Sequence, residues 1–205
     1  MGRFRFLAGV LSLFMIVQAS APWGAEAAAN PSQVVSRFHD GLLDIMKNAR
    51  TLGVKGRYES LAPRIKESFN LRLMIQVAAS SYWKKADPEQ IEKLVSAFTR
   101  LSISSYASQF NDFSGQSFET RGEKPGPQKT TLVETRIIDP GSDPVELIYV
   151  TRLFKGQWRI IDVLVDSGIS ELAVRRSEYR RVLRTKGIEG LIKTLNAKAD
   201  QLLSN

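Results

Sequence analysis

Asp162 is the residue of this chain whose surroundings most strongly suggest a chemical role. It lies within Gly156–Ser170, GQWRIIDVLVDSGIS, a stretch that alternates like a β-strand. Counting by twos places Asp162 on one face with Trp158, Ile160 and Leu164. An ionised carboxylate among bulky apolar side chains is costly unless it is paired. Two roles are therefore open. Asp162 could be a catalytic acid or base, or it could be a structural residue that joins two elements by hydrogen bonds, which we call a pin.

A catalytic role would require a second polar group within hydrogen-bond reach of Asp162. Some small α+β isomerases place such an Asp beside a tyrosine in an apolar pocket. The nearest strand tyrosine, Tyr149, need not share a face with Asp162, and a lone carboxylate is weak support for catalysis. We therefore predict no catalytic residue, and we interpret Asp162 as a pin that accepts hydrogen bonds from an arginine or from backbone N–H groups at a helix start. An isomerase or hydrolase that uses Asp162 is the alternative.

Other reactive side chains are scarce in this sequence. The chain has 0 Cys and 1 His, so disulfides, thiol chemistry and multi-histidine zinc sites are excluded, and a Ser-His-Asp triad is disfavoured. The single histidine, His39, lies beside Asp40 on a predicted helix, where we expect it on the surface or half-buried. We predict neither a cofactor nor a metal.

Residues 1–29 are predicted to be a signal peptide. Two arginines precede an uncharged apolar run, Phe6–Val17, and small residues follow it. This order is typical of a secretory signal, and the run is shorter than the roughly 20 residues of a membrane span. Two A-x-A patterns place cleavage between Ala27 and Asn30. We expect an exported protein whose residues 30–205 form a single domain; an uncleaved N-terminal anchor is the alternative.

The formal net charge is +8, which is compatible with nucleic-acid binding. An exported protein rarely meets nucleic acid, and no stacking aromatics alternate with the basic residues, so we expect anionic membrane surfaces and acidic protein patches as partners instead. The segment SELAVRRSEYRRVLRTKG concentrates this charge on one predicted helix, with Leu172, Val174, Tyr179, Val182 and Leu183 facing inward. We predict that its arginines dock the protein onto such partners: Arg175, Arg176, Arg180, Arg181 and Arg184, together with Lys186.

Periodicity predicts one α+β domain in which helices precede strands and further helices follow. Asn30 begins the first helix and Gly53 ends it. The next helical segment is expected to break near Pro63 and Ser68. A capping box at Asp87 begins the longest helix.

After Gly115 the apolar period becomes two, which predicts strands joined by short antiparallel connections. The four strand candidates are QSFETRG, KTTLVETRII, PVELIYVTRLF and QWRIIDVLVD. Ser170 then begins a helix that Gly187 ends, and one more helix follows. Both faces of the third candidate are partly apolar, so either helices pack on both faces of the sheet or one face borders a cavity.

Two segments resemble the MlaC or toluene-tolerance family of periplasmic lipid carriers. SFNLRLMIQVAASSYWKKADPEQIEKLVSAFTRLSISSYASQF is similar to the family's helix–Trp–helix segment. GQWRIIDVLVDSGISELAVRRSEYRRVLRTKGIEGLIKTL is similar to its Trp-[Lys/Arg]-[Ile/Val]-x-Asp strand, Gly-Ile-Ser turn and Tyr-bearing helix, although Ser167 interrupts the usual acid–Gly pair. The second segment most resembles the hopanoid-biosynthesis-associated branch, HpnM.

The resemblance implies N-terminal helices, a curved antiparallel sheet of four or slightly more strands and two C-terminal helices, in a cystatin/NTF2-like arrangement with an internal apolar cavity. It also implies a phospholipid or hopanoid ligand, transfer between partners in the inner and outer membranes, and no catalysis. The candidate lining residues, each of which could instead be ordinary core, are Phe69, Leu73, Met74, Val77, Phe98, Leu101, Tyr106, Ile148, Val150, Ile161 and Val163.

Overall fold

Local capping determines where the first helix starts. The structure is a computed structural model that describes residues 30–166 and 168–204, and its first helix is α1 (Pro31–Lys47). Asn30 Oδ1 accepts a hydrogen bond from the Gln33 N–H (2.8 Å), and Gln33 Oε1 accepts one from the Asn30 N–H (3.0 Å). This reciprocal pair is a capping box at the predicted start. The proposed signal peptide lies outside the described residues.

The second helix, α2 (Ala49–Ser68), follows after one residue and ends at Ser68, near one of the two predicted breaks. Gly53 interrupts it with φ 59° and ψ 178°, but α1 has already ended at Lys47, so the prediction that Gly53 ends the first helix was wrong. Pro63 does not break α2. Its ring lies on the exposed side of the helix, where water can satisfy the carbonyl that proline leaves unpaired.

Two further helices complete the N-terminal half. They are α3 (Leu71–Ala79), which leads into a 3₁₀ helix (Ser80–Lys85), and α4 (Pro88–Gln109). The α4 start has the predicted capping box, in which Asp87 Oδ1 accepts from the Gln90 N–H at 2.8 Å. The buried face of α4 supplies Leu94, Phe98 and Leu101 to the core, since none of these side chains is more than 1% exposed.

The sheet has five antiparallel strands in the order β1-β2-β3-β4-β5. All four strand candidates are present, and a two-residue strand is added after them. The bounds are β1 (Ser117–Gly126), β2 (Thr130–Ile138), β3 (Val145–Phe154), β4 (Gln157–Val165) and β5 (Ile169–Ser170). The predicted α+β class is confirmed.

Among the described residues, the helices cover one face of the sheet. Strand register aligns Val133, Tyr149 and Val163 across β2, β3 and β4, and all three side chains are buried in the core. The opposite face carries ion pairs between partly exposed side chains, such as Lys124–Glu134. Packing of helices on both faces, one of the two predictions for the sheet, is therefore not observed.

The last helix, α5 (Glu171–Leu203), consists of two limbs that meet at Gly187. Ser170 Oγ caps its start by accepting from the Ala173 N–H at 2.9 Å, as predicted. The backbone at Gly187 has φ 63° and ψ −164°, which is not helical and separates the two predicted C-terminal helices. The second limb lies along α4, where Arg100 donates to the Asn196 carbonyl (3.3 Å) and pairs with Asp200. No described helix combines the length and apolar character needed to cross a membrane.

Candidate functional site

A β-bulge at Ile161 determines where Asp162 points. Val150 pairs with Asp162 while the next residue, Thr151, pairs with Ile160, so Ile161 has no partner on β3. The extra residue reverses the alternation. Ile160 therefore lies in the core, and Asp162 lies on the other face. The count by twos that placed these two residues together is wrong, because it assumed a regular strand.

The Asp162 carboxylate joins β4 to the start of α5. Its Oδ1 accepts from the backbone N–H groups of Val163 (2.8 Å) and Leu172 (3.0 Å), and its Oδ2 accepts from Ser170 Oγ (2.5 Å). Tyr149 faces the opposite side of the sheet and therefore cannot assist Asp162. The contacts are those that a pin at a helix start would make, and none comes from an arginine. The pin role itself stays a prediction.

His39 is buried, not on the surface or half-buried as predicted. It is 3% exposed, its Nε2 lies 2.9 Å from Tyr149 Oη, and its ring stacks on Phe118 with centroids 4.0 Å apart. Desolvation lowers the pKa of His39 to about 3, so the imidazole is neutral at physiological pH. The prediction failed because the sequence around His39 does not reveal that β1 and β3 pack against this side of α1.

An aromatic cluster joins the helices to the sheet beside His39. Phe38 makes edge-to-face contacts with Phe69, Tyr106 and Tyr149, with centroid separations of 5.0, 5.4 and 6.4 Å. Tyr106 also stacks on Phe110 at 5.7 Å. Such pairs orient rings as well as bury apolar area. We call Phe38, Phe69, Tyr106, Phe110 and Tyr149 the aromatic cluster.

Tyr106 is half-buried within this cluster. Desolvation raises the pKa of its phenol above the ordinary value, so the phenol stays protonated. The half-buried Ile137 and Val165 on the helix-facing side of the sheet pack against the same core. The arrangement can enclose an apolar ligand between helices and sheet.

The predicted lining residues separate into three groups. Six lie in or against the core: Phe69, Met74, Phe98, Leu101 and Val163 are buried in it, and the half-buried Tyr106 packs against it. Leu73 and Ile161 are half-buried outside this core. Val77 is 41% exposed and therefore faces away from the interior. Ile148 and Val150 pair with Leu164 and Asp162 and lie on the open face of the sheet. These last three residues do not line a space between helices and sheet, which corrects their assignment.

Sequence reasoning missed several residues at this site. On β3, Leu147 and Tyr149 point to one face and Ile148 to the other. Both faces of this strand are partly apolar in sequence, so the sequence did not show which face meets the helices. A tyrosine within an otherwise aliphatic set is a pattern that could have favoured that face, since a buried phenol needs a polar partner. Phe38 and Phe110 belong to apolar helix faces, and such a pattern predicts burial in the core without indicating contact with a ligand.

The basic part of α5 differs from its prediction at two positions. Arg176, Arg180, Arg181 and Arg184 are exposed, but Arg175 is half-buried. Val174, which was expected to pack inward, is 40% exposed. The helix is thus rotated relative to the predicted face, so that Arg175 turns inward and Val174 outward. We call Arg176, Arg180, Arg181, Arg184 and Lys186 the basic face.

A concave region also lies on the outside of the molecule, away from the aromatic cluster. It is an open groove of about 1030 Å³ between α1, the end of α2 and the β3–β4 turn, with Arg37, Arg64, Arg159 and Trp158 among its lining residues. Most of its lining residues have polar side chains, and the aromatic cluster does not contribute to it. Within the described residues no group of three or more His, Asp or Glu side chains is placed to hold a metal ion.

Two comparisons with known proteins agree with this architecture. The sequence model of the family described as "MlaC protein" matches residues 36–197. Among solved structures, the chain is similar to the phospholipid-binding protein from Ralstonia solanacearum, which was solved in complex with a phospholipid. The TM-score is 0.75 and the sequence identity 21%, over 85% of this chain and 99% of that chain. At this identity the likeness shows a shared fold.

Proposed function

This chain belongs to the MlaC family, and we propose that it is a periplasmic carrier that binds a lipid and moves it between the inner and outer membranes. The observation that supports this most is the aromatic cluster with its half-buried Tyr106, which lies between helices and sheet in a fold shared with a phospholipid-binding protein. We propose that helices and sheet enclose a recess beside Tyr106. The lipid's apolar part would occupy the recess, and its polar end would remain near the opening.

Burial of acyl chains supplies enough free energy for this function. Each buried methylene contributes about 0.8 kcal/mol, so one chain of ordinary length needs only a continuous apolar wall. We propose that this wall is formed by the aromatic cluster with Ile137, Val163 and Val165. Lipid carriage needs no catalytic group, so we infer that the protein is not an enzyme. An isomerase or hydrolase would need a free acid or base, and both oxygens of Asp162 already accept hydrogen bonds.

Transport also requires export and docking. We propose that residues 1–29 are removed between Ala27 and Asn30 and that residues 30–205 form the mature domain. Intact-mass measurement of the protein purified from the periplasm would test this, because an uncleaved leader adds the mass of about 29 residues. We further propose that the basic face contacts acidic patches on membrane-associated partners, or anionic headgroups.

Lipid extraction from the purified protein tests the carrier function directly. The protein is isolated from its native envelope without detergent, extracted with organic solvent and analysed by mass spectrometry. We expect a phospholipid or hopanoid in stoichiometric amount, and uptake of fluorescent lipid from vesicles by the delipidated protein. A protein that carries no lipid and takes none from vesicles would contradict the proposal.

A further inference from the structure

The hydroxyl of Tyr179 has no partner within the part of the chain that the structure describes. Tyr179 lies on α5 and is 5% exposed, and its Oη is buried without a hydrogen bond. Buried polar groups are nearly always paired, because an unpaired one loses its hydrogen bonds to water without replacement. Burial also raises the pKa of Tyr179, so its phenol keeps the proton and can donate. Tyr179 therefore presents a hydrogen-bond donor for which the protein supplies no acceptor.

Arg175 lies one helical turn before Tyr179, on the same side of α5. It is half-buried, and it forms no ion pair with a described acidic residue. Its guanidinium lies beside the Tyr179 hydroxyl, to which it can only donate, so the hydroxyl proton still lacks an acceptor. Its positive charge opposes the effect of burial on the pKa of two phenols, Tyr179 on its own helix and Tyr106 on α4. Its guanidinium therefore lies near both phenols. A partly desolvated cation without a counter-ion is as unusual as the unpaired hydroxyl beside it.

These polar groups adjoin the proposed lipid site, since Tyr106 belongs to the aromatic cluster as well. A ligand whose apolar part packs against that cluster would bring its polar end toward Arg175 and Tyr179. The group that satisfies all three side chains must accept several hydrogen bonds and carry negative charge. A phosphodiester has both properties, and a guanidinium presents its N–H groups in a fork that matches two phosphate oxygens.

We propose that Arg175, Tyr179 and Tyr106 bind the phosphodiester of a glycerophospholipid, an inference that rests on the proposed carrier function. The same groups disfavour a neutral lipid such as an uncharged hopanoid, which would leave the guanidinium uncompensated. Glu171, one turn before Arg175, is the acidic residue that influences its pKa. Its carboxylate forms no ion pair with Arg175 in this structure, and its negative charge opposes an incoming phosphate.

Competition between two lipids with identical acyl chains tests this inference. Delipidated protein is offered vesicles that contain fluorescent phosphatidylcholine or the matching diacylglycerol, which lacks the phosphodiester. We expect the wild type to prefer the phospholipid by about tenfold or more, as for a charge-assisted contact. Arg175→Gln should reduce the preference to about threefold or less and leave diacylglycerol uptake unchanged. Arg181→Gln, an exposed arginine of the same helix, is the matched control and should retain the full preference.

Tyr179→Phe separates ligand binding from folding. It removes a hydroxyl that has no partner, so thermal stability should stay the same or rise while the preference for phospholipid falls. Lower stability together with an unchanged preference would overturn the inference. So would equal uptake of both lipids by the wild type, although lipid carriage itself would then stand. If the wild type took up neither lipid, the carrier function would fail as well. Should Arg175→Gln not fold, Arg175→Lys and Tyr179→Phe provide the same comparison.

Discussion

At the scale of single residues, most polar groups in the described interior have hydrogen-bond partners. His39 and Tyr149 satisfy each other at 2.9 Å, and Asp162 accepts three hydrogen bonds near the start of α5. Tyr179 differs from them in having no partner. Because partnered groups stabilise the fold and an unpaired one does not, substitutions at the two types of position should have opposite effects on stability.

His39 should make the protein sensitive to mild acid. Its pKa is about 3 in the folded state because of desolvation, and an unfolded histidine has a pKa near 6.5. Below pH 6.5 the unfolded chain binds a proton that the folded one excludes, so the free energy of unfolding falls by up to about 1.4 kcal/mol per pH unit until pH approaches 3. Urea unfolding between pH 5 and 6.5 should show this slope.

His39→Gln provides the comparison for that measurement, since glutamine keeps a donor and an acceptor but does not titrate. No other histidine exists in the chain, so the variant should lose most of the slope above pH 5, where few carboxylates titrate. Equal slopes for the two proteins in this window would mean that His39 accepts a proton while folded.

Asp162→Asn should destabilise the junction between β4 and α5. An amide has one acceptor oxygen where the carboxylate has two, so the Leu172 N–H or the Ser170 hydroxyl loses its acceptor. We expect a loss of about 1–3 kcal/mol in the free energy of unfolding and faster hydrogen exchange at Leu172. Asp166→Asn is the control, since Asp166 is exposed and its φ of 49° is one that asparagine tolerates. An Asp162→Asn protein as stable as the control would contradict the pin role.

At the scale of elements, the sequence correctly predicted features such as helix starts, which depend on residues that are neighbours along the chain. The starts at Asn30, Asp87 and Ser170 were predicted because each cap is complete within four residues. The bulge at Ile161 was not predicted, because it involves residues that are distant in sequence. It depends on pairing with β3 and on the Ile160 carbonyl, which accepts a hydrogen bond from the Asn70 N–H at 2.9 Å. That one residue changed the face assigned to Asp162.

The residues of the candidate site were predicted less completely for the same reason. Phe69, Phe98 and Tyr106 were predicted as candidate lining residues, and all three lie in the core or against it. The face of β3 that meets the helices could not be chosen, because both of its faces are apolar in sequence. The inward turn of Arg175 depends on packing of α5 against α4, which no local pattern records.

Two glycines that interrupt helices should be needed for their backbone conformation. Gly53 and Gly187 have φ near 60° with ψ of 178° and −164°, a region that side chains make costly. A Cβ at either position would have open space around it, so the cost of alanine is conformational. We expect Gly53→Ala and Gly187→Ala each to lower the free energy of unfolding by about 1–3 kcal/mol.

Gly56 offers the comparison within the same helix, because it lies in α2 without positive φ. Gly56→Ala should be neutral or stabilising by up to about 1 kcal/mol, provided that the Leu52 side chain moves by a few tenths of an ångström. Equal losses for Gly53→Ala and Gly56→Ala would show that space, and not backbone conformation, limits these positions.

At the scale of the whole molecule, the proposed functions occupy different surfaces. The proposed recess lies between helices and sheet, whereas the exposed arginines of the first limb of α5 point to solvent. The two regions meet only on α5, where Arg175 turns inward and Arg176 outward. A carrier arranged in this way can change its encounter rate with partners without changing its affinity for lipid.

Charge reversal on the basic face should therefore slow lipid transfer without emptying the protein. Arg176 and Arg180 are exposed, and Arg176 donates a 3.3 Å hydrogen bond to Ser80. Because neither side chain is buried, the double variant Arg176→Glu with Arg180→Glu should fold normally. Electrostatic steering changes association rates by about 10–10³-fold, and it weakens as salt screens the charges. We expect transfer to anionic acceptor vesicles or to isolated partner proteins to slow by about tenfold at low ionic strength and to lose most of its salt dependence.

The matched control is Lys193→Glu with Lys198→Glu, which alters the net charge equally on the second limb of α5, where both lysines are exposed. If steering came from overall charge alone, the two double variants would slow transfer alike. If docking involves the basic face, Arg176→Glu with Arg180→Glu has the larger effect, because local potential decays within about 10 Å at 0.1 M salt. Lipid content measured by mass spectrometry should be the same in all three proteins. Transfer at the wild-type rate by the arginine variant at low ionic strength would mean that docking occurs on another surface.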